Sequence, residues 1–201
     1  MNFGKYLLSF TAAGLSVARS TQISEVYMQS GDWGVVKERV MTENLLQIRK
    51  QKSALRIYHE LALRLGELSD NQLALLVEGT PQEKRHILWI AICKKYAFIQ
   101  DFAQEVLYEK YLSMSYKFTD FDYEVFFNRK ADWHDELLQI SATTHTKLRQ
   151  VVFHMLREAK FLSAENIIIP VLVSQRVLNE FSNELPEIAT WFPATISTTL
   201  E

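Results

Sequence analysis

Two sets of side chains have the types and spacing to act together. Lys147, Arg149, Gln150, His154, Arg157 and Lys160 share one arc at about 100° per residue. The apolar stripe Leu148, Val151, Val152, Met155, Leu156 and Ala159 lies opposite. Residues 143–160 hold four cations against the single acid Glu158, a net charge of +3. Arg49, Lys52 and Arg56, at i, i+3 and i+7, form a second cationic edge with Lys50 beside it. Residues 19–56 carry seven cations against four acids, again net +3. Rows of Lys and Arg neutralise phosphates and release counterions, so the chemistry on offer is nucleic-acid binding that weakens steeply with salt. Thr143, Thr144 and Thr146 add hydroxyl donors at a helix start. Arg149, Gln150 and His154 are the groups with the reach to touch base edges. The same rows also read as the ordinary wet faces of amphipathic helices.

Catalytic chemistry is poorly served. The sequence has no Gly-x-Gly-x-x-Gly, no phosphate-binding Gly-x-x-x-x-Gly-Lys-[Ser/Thr], no His-Glu-x-x-His and no Gly-x-Ser-x-Gly. Its five His are scattered. The densest acid–base group is Asp132, His134, Asp135 and Glu136, but consecutive helical residues point apart, so His134 and Asp135 do not meet. Cys93 is alone, inside the run Ile87–Cys93, which excludes an intrachain disulfide and a Cys-based zinc site and suits a buried, inert thiol. Arg129 and Lys130 suit phosphates or their acidic neighbours Asp132, Asp135 and Glu136 equally. The expectation is a protein that is not an enzyme and needs no cofactor or metal.

The elements that must position these residues are mostly helices. Ser20 or Thr21 starts the first, and Gly31-Asp32 ends it and caps the next. A third helix is expected over 44–65. Asp70 or Ser69 opens a short helix ending near Gly79. Thr80-Pro81-Gln82-Glu83 is a capping box with proline at the first helical position. The apolar residues beyond it nearly encircle the helix, which marks it as central. Residues 81–112 read as one helix or as two joined near Tyr96. Thr119 caps the next, and Ser141 or Thr143 the cationic helix to 160. Ile167, Ile168 and Ile169, stopped by Pro170, then predict a short two-stranded ribbon. Ser174 begins a last helix, and Trp191-Phe192 should pack back on the body.

The expected fold is therefore mainly α: a helical bundle with helix-turn-helix-like parts and a short C-terminal β-ribbon, or wing. Its divisions are an N-terminal helix-turn-helix-like part (1–68), a central hydrophobic bundle (69–115) and a winged-helix-like part (116–201). A composition of 48% hydrophobic and 23% charged residues fits a folded globular chain and argues against disorder. The net charge of −2 makes any nucleic-acid site a local basic face on an acidic body. Residues 5–18 mimic a signal peptide, but Ser9, Thr11, Gly14 and Ser16 interrupt them, and a strand and turn packed on the domain fits as well. The strongest apolar run, ILWIAIC, is far shorter than a membrane span, so no membrane insertion and a cytoplasmic location are expected.

Three long stretches carry a family likeness: DWGVVKERVMTENLLQIRKQKSALRIYHELALRL, EGTPQEKRHILWIAICKKYAFIQDFAQEVLYEKYL and FDYEVFFNRKADWHDELLQISATTHTKLRQVVFHMLREAKFLS. Together they resemble BrxA, an accessory protein of the bacterial BREX (bacteriophage exclusion) defence systems, over about residues 5–193. The resemblance implies a mostly helical protein, similar in part to a helical RNA-binding antitermination factor. It also implies double-stranded DNA as a partner, and work beside a methyltransferase, a phosphatase-like protein and an ATPase. An inner-membrane description of the family finds no support in these residues. No set of functional residues comes with the resemblance. The candidate nucleic-acid contacts therefore remain Lys147, Arg149, Gln150, His154, Arg157, Lys160, Arg49, Lys52 and Arg56, with weak, non-specific duplex binding expected. A protein–protein adaptor without DNA contact and an RNA-binding protein are the alternatives.

Overall fold

Helix α5 (Pro81–Lys95) is the element the others surround. Its start is fixed by chemistry: the Thr80 hydroxyl accepts from the Glu83 amide, and the Glu83 carboxylate accepts from the Thr80 amide at 2.8 Å. Every residue from Ile87 to Cys93 is buried, and the Trp89 indole donates to the Trp191 carbonyl at 2.8 Å. Burial of each such large side chain contributes roughly 1.5–3 kcal/mol, so this one helix organises the core. Burial also pushes the Cys93 thiol well up, which leaves it unreactive. The computed structural model describes residues 4–197. Packed directly on α5 are α1 (Val17–Ser30), α3 (Gln51–Leu65), α4 (Asp70–Glu78), α6 (Ala97–Phe102) and α11 (Gln175–Glu180).

Residues 81–112 are not one helix. Tyr96 takes extended backbone (φ −122°, ψ 96°) and separates α5 from α6. A π-helical stretch (Ala103–Tyr108) and α7 (Glu109–Leu112) continue the second rod. In the N-terminal part, Gly31 ends α1 at φ 64°, and Asp32 caps α2 (Trp33–Thr42) through the Gly34 amide. The expected helix over 44–65 starts late. Asn44 and Gln47 are left-handed (φ 48° and 53°), and the Asn44 side chain accepts from the Ile48 amide. Residues 43–50 are therefore a loop, far longer than the roughly 3–4 residues that join helices in a helix-turn-helix.

The C-terminal part holds α8 (Asp120–Ala131), α9 (Asp135–Leu138) and α10 (Ala142–Glu158). Thr119 and Ser141 cap α8 and α10 as their sequence positions predict. The β-ribbon does not form. Only isolated antiparallel bridges join Leu162 to Ile168 and Lys117 to Ile167, and no strand is present among the described residues. The Ile run divides its bonds: Ile168 donates to the Tyr116 carbonyl and Ile169 to that of Phe161. Pro170 then has no N–H to extend a ladder, and the Val171 amide turns to the Pro193 carbonyl. The wing is thus reduced to a turn at 163–166, with Asn166 at φ 60°. Beyond it, Ser174 caps α11, α12 (Leu185–Ile188) follows, and Trp191 and Phe192 are buried.

Candidate nucleic-acid interface

The two cationic rows meet different fates. On α10, Arg149 is half-buried and bonds Glu124 at 3.0 Å and Asp120 at 3.4 Å, both presented by α8. Arg157 donates to the Asn166 side chain and lies over the Phe153 ring. His154 is exposed with Glu158 one turn on, 3.4 Å away. Lys147 and Gln150 are exposed, and their side chains have no partner among the described residues. Lys160 lies past the helix end, where it takes the left-handed cap conformation at φ 65° with its side chain exposed. Ser141, Thr144 and Thr146 spend their hydroxyls on one another and on the Ala142 carbonyl. The arc seen in the sequence is present, but most of its strongest donors are already engaged.

The second row is free. Lys52 and Arg56 are exposed on the outer face of α3, and Arg49 and Lys50 are exposed just before it. None has an ion-pair partner among the described residues. Arg49 is in the loop rather than on the helix, so the continuous helical edge shortens to Lys52 and Arg56 with two cations at its head. Lys50 occupies the N-cap position and supplies no capping bond, so the first-turn amides of Gln51, Lys52 and Ser53 lack internal acceptors. The helix dipole adds partial positive charge at this end. Four cations around an uncapped helix start make a surface suited to phosphate oxygens.

The same helix has a cation that sequence reading passed over. Arg64 is 2% exposed. Its guanidinium donates to Glu60 and to the carbonyls of Phe10, Ala13 and Gly14, and so ties residues 4–16 to the bundle. Glu60 also accepts from the Tyr96 hydroxyl at 2.6 Å. Burial, and then that bond, push the Tyr96 hydroxyl up to about 12. The signal was available: helical spacing puts Arg64 at the edge of the apolar arc of Ile57, Leu61 and Leu65, next to Ile57. Arg129 and Lys130 pair with neither Asp132 nor Glu136; they reach Glu105 and, for Lys130, Asp101 as well.

Among the described residues no cluster of His, Cys, Asp and Glu could hold a metal ion, and no helix is long and apolar enough to cross a membrane. The fold and this surface define a mainly helical protein with a local group of unpaired cations at the start of α3. The chain belongs to the BrxA family, whose family model matches residues 4–184. It is 28% identical over 127 residues to a "BREX protein BrxA" of Bacillus cereus (strain H3081.97), covering 63% of this chain and 64% of that protein. Against a "BREX protein BrxA" of Escherichia coli O9:H4 (strain HS) it is 24% identical over 143 residues, covering 71% and 67%. A crystal structure of an uncharacterized protein from Magnetospirillum magneticum superposes with a TM-score of 0.79 at 15% identity, covering 96% of this chain and 100% of the other, a likeness of fold alone.

Proposed function

We infer that the protein is a non-enzymatic, soluble component of a BREX bacteriophage-defence system that binds double-stranded DNA through its phosphates. One observation carries the DNA reading: Arg49, Lys50, Lys52 and Arg56 gather at the uncapped start of α3 with no ion-pair partner among the described residues. The relatives bear the BREX name, which supports the defence context and makes the methyltransferase, phosphatase-like protein and ATPase of such systems its candidate partners. Lys147, Gln150 and Lys160 on and beyond α10 add weaker contacts, while Arg149, Arg157 and His154 contribute less because protein groups already hold them. Contacts limited to phosphates fix position without reading sequence.

The test is duplex binding measured against salt. Arg49→Glu/Lys52→Glu/Arg56→Glu should weaken binding about a hundredfold and lower the salt slope by about 3. Arg149→Glu/Arg157→Glu should have a much smaller effect. Equal losses from both variants would reject the assignment to α3, and a wild type without salt-dependent binding would reject DNA. A second reading, an adaptor, is favoured by Phe121 and Val125, which stand 74% and 47% exposed one turn apart on α8. Capture of purified defence components after nuclease treatment, without duplex binding, would select it. Competition with single-stranded RNA separates the RNA alternative.

A further inference from the structure

A second cationic group forms where three elements meet, and no sequence row announced it. Arg19 in the first turn of α1, Arg85 on α5 and Lys160 beyond α10 line one open cleft of about 580 Å³. None of the three has an acid within ion-pair distance among the described residues. Arg19 bonds the Leu46 carbonyl, Arg85 the Pro81 carbonyl, and the Lys160 side chain has no partner among the described residues. The acid in the cleft wall is Glu158. Its carboxylate accepts from the Leu15 amide at 2.6 Å and lies 3.4 Å from the His154 ring, so it is held against the chain leading into α1. Gly14 permits this, because a Cβ there would collide with that carboxylate. The cleft is left with a charge of about +2.

Backbone donors line the same wall. Ser16 precedes α1 in a left-handed conformation and gives no capping bond. The first helical bond runs from the Ser20 amide to the Ser16 carbonyl, so the amides of Val17, Ala18 and Arg19 lack internal acceptors. Among the described helices of nine or more residues, only α1 and α3 start without a side-chain cap, and cations gather at both starts. An adjoining cleft shares Val17 and Ala18 and is also lined by Thr21, nine-tenths buried with a hydroxyl that has no partner among the described residues.

We propose that the cleft formed by Arg19, Arg85, Lys160 and the first turn of α1 binds a phosphate group, supplied by the backbone of the nucleic acid that lies along α3. This rests on the DNA reading above. Arg19 connects the two surfaces, since its bond to Leu46 anchors the loop that carries Arg49. Arg49 lies three positions after Leu46, at most about 11 Å of chain, a distance that a short run of phosphates crosses. The cleft thus joins the end of the α10 row to the α3 edge, the junction that sequence alone left open.

The variant Arg85→Gln/Lys160→Gln leaves Arg19 and its loop contact in place, and an unchanged melting curve verifies its fold. Duplex affinity should fall about tenfold, and the salt slope by about 1, the loss of one phosphate. In a parallel titration with inorganic phosphate, the amide resonances of Val17, Ala18 and Arg19 should shift in the wild type and stay fixed in the variant. Unchanged duplex binding together with no phosphate-dependent shift overturns the cleft, and the α3 reading survives if its triple variant still loses binding. A wild type that ignores duplex but shows the shifts retains the cleft with free phosphate as its source and removes the DNA reading.

Discussion

Helices α10 and α3 carry cationic rows that look alike in the sequence, and the fold treats them in opposite ways. α10 lies against α8, whose Asp120 and Glu124 face Arg149, and against the turn at 163–166, whose Asn166 takes Arg157. α3 presents Lys52 and Arg56 outward with no ion-pair partner among the described residues, and places its remaining cation, Arg64, wholly inside. Net charge along a helix is therefore a poor guide to which charges are available. Availability is set by the element packed beside the row. The longer, more regular row on α10 is the more neutralised one.

The sharpest way to break this contrast is at Arg64. If the cations of α3 were interchangeable, Arg64→Ala would cost no more than an exposed substitution. The structure predicts a loss of about 3–5 kcal/mol in urea unfolding, because Glu60 and three carbonyls would be left buried without their donor. The stretch around Phe10–Gly14 should become more protease-sensitive at the same time, since the guanidinium holds three of its carbonyls. A cost below about 1 kcal/mol would mean that residues 4–16 are held by their apolar residues, such as Phe10, and by the Tyr6 and Leu15 bonds rather than by Arg64.

Next in size is the claim that α8 neutralises α10. A double-mutant cycle between Arg149→Ala and Glu124→Ala should give a coupling of about 1 kcal/mol or less. Both side chains keep roughly a quarter to a third of their exposure and solvent screens them. Duplex affinity should rise slightly in Glu124→Ala, which frees Arg149. No coupling and no gain would place Arg149 among the free cations and erase the difference between the helices.

These outcomes bear on what the sequence could reveal. Helix starts at Asp32, Thr80, Thr119, Ser141 and Ser174 were legible because capping is local chemistry, confined to four residues. The central place of α5 was legible from its encircling apolar residues. The wing was misread because the Ile run has strand propensity whether or not a partner strand is free, and here its bonds go to 116 and 161 separately. The start of α3 was misread because left-handed turns at Asn44 and Gln47 leave no trace in apolar periodicity. The cationic rows were legible as rows. The acids that hold Arg149 are 25 or more positions away in sequence, and the Arg19–Arg85–Lys160 cleft joins three distant elements, so neither could be read from spacing.

The smallest expected effect bears most directly on the difference between the two helix starts. Ser141 caps α10, so Ser141→Ala should destabilise by about 1 kcal/mol and leave duplex binding unchanged. Lys50 stands at the corresponding position of α3 and caps nothing. Lys50→Asp should instead stabilise by about 0.5–1 kcal/mol, by accepting from the first-turn amides and placing a negative charge at the positive end of the helix dipole. The same change should weaken duplex binding about tenfold, since it removes one cation and fills the amides that a phosphate would take. Opposite signs for stability and binding at one residue are what a start kept uncapped for a ligand requires. If Lys50→Asp stabilised the fold with no loss of affinity, the free cations of α3 would be no different in function from the engaged ones of α10.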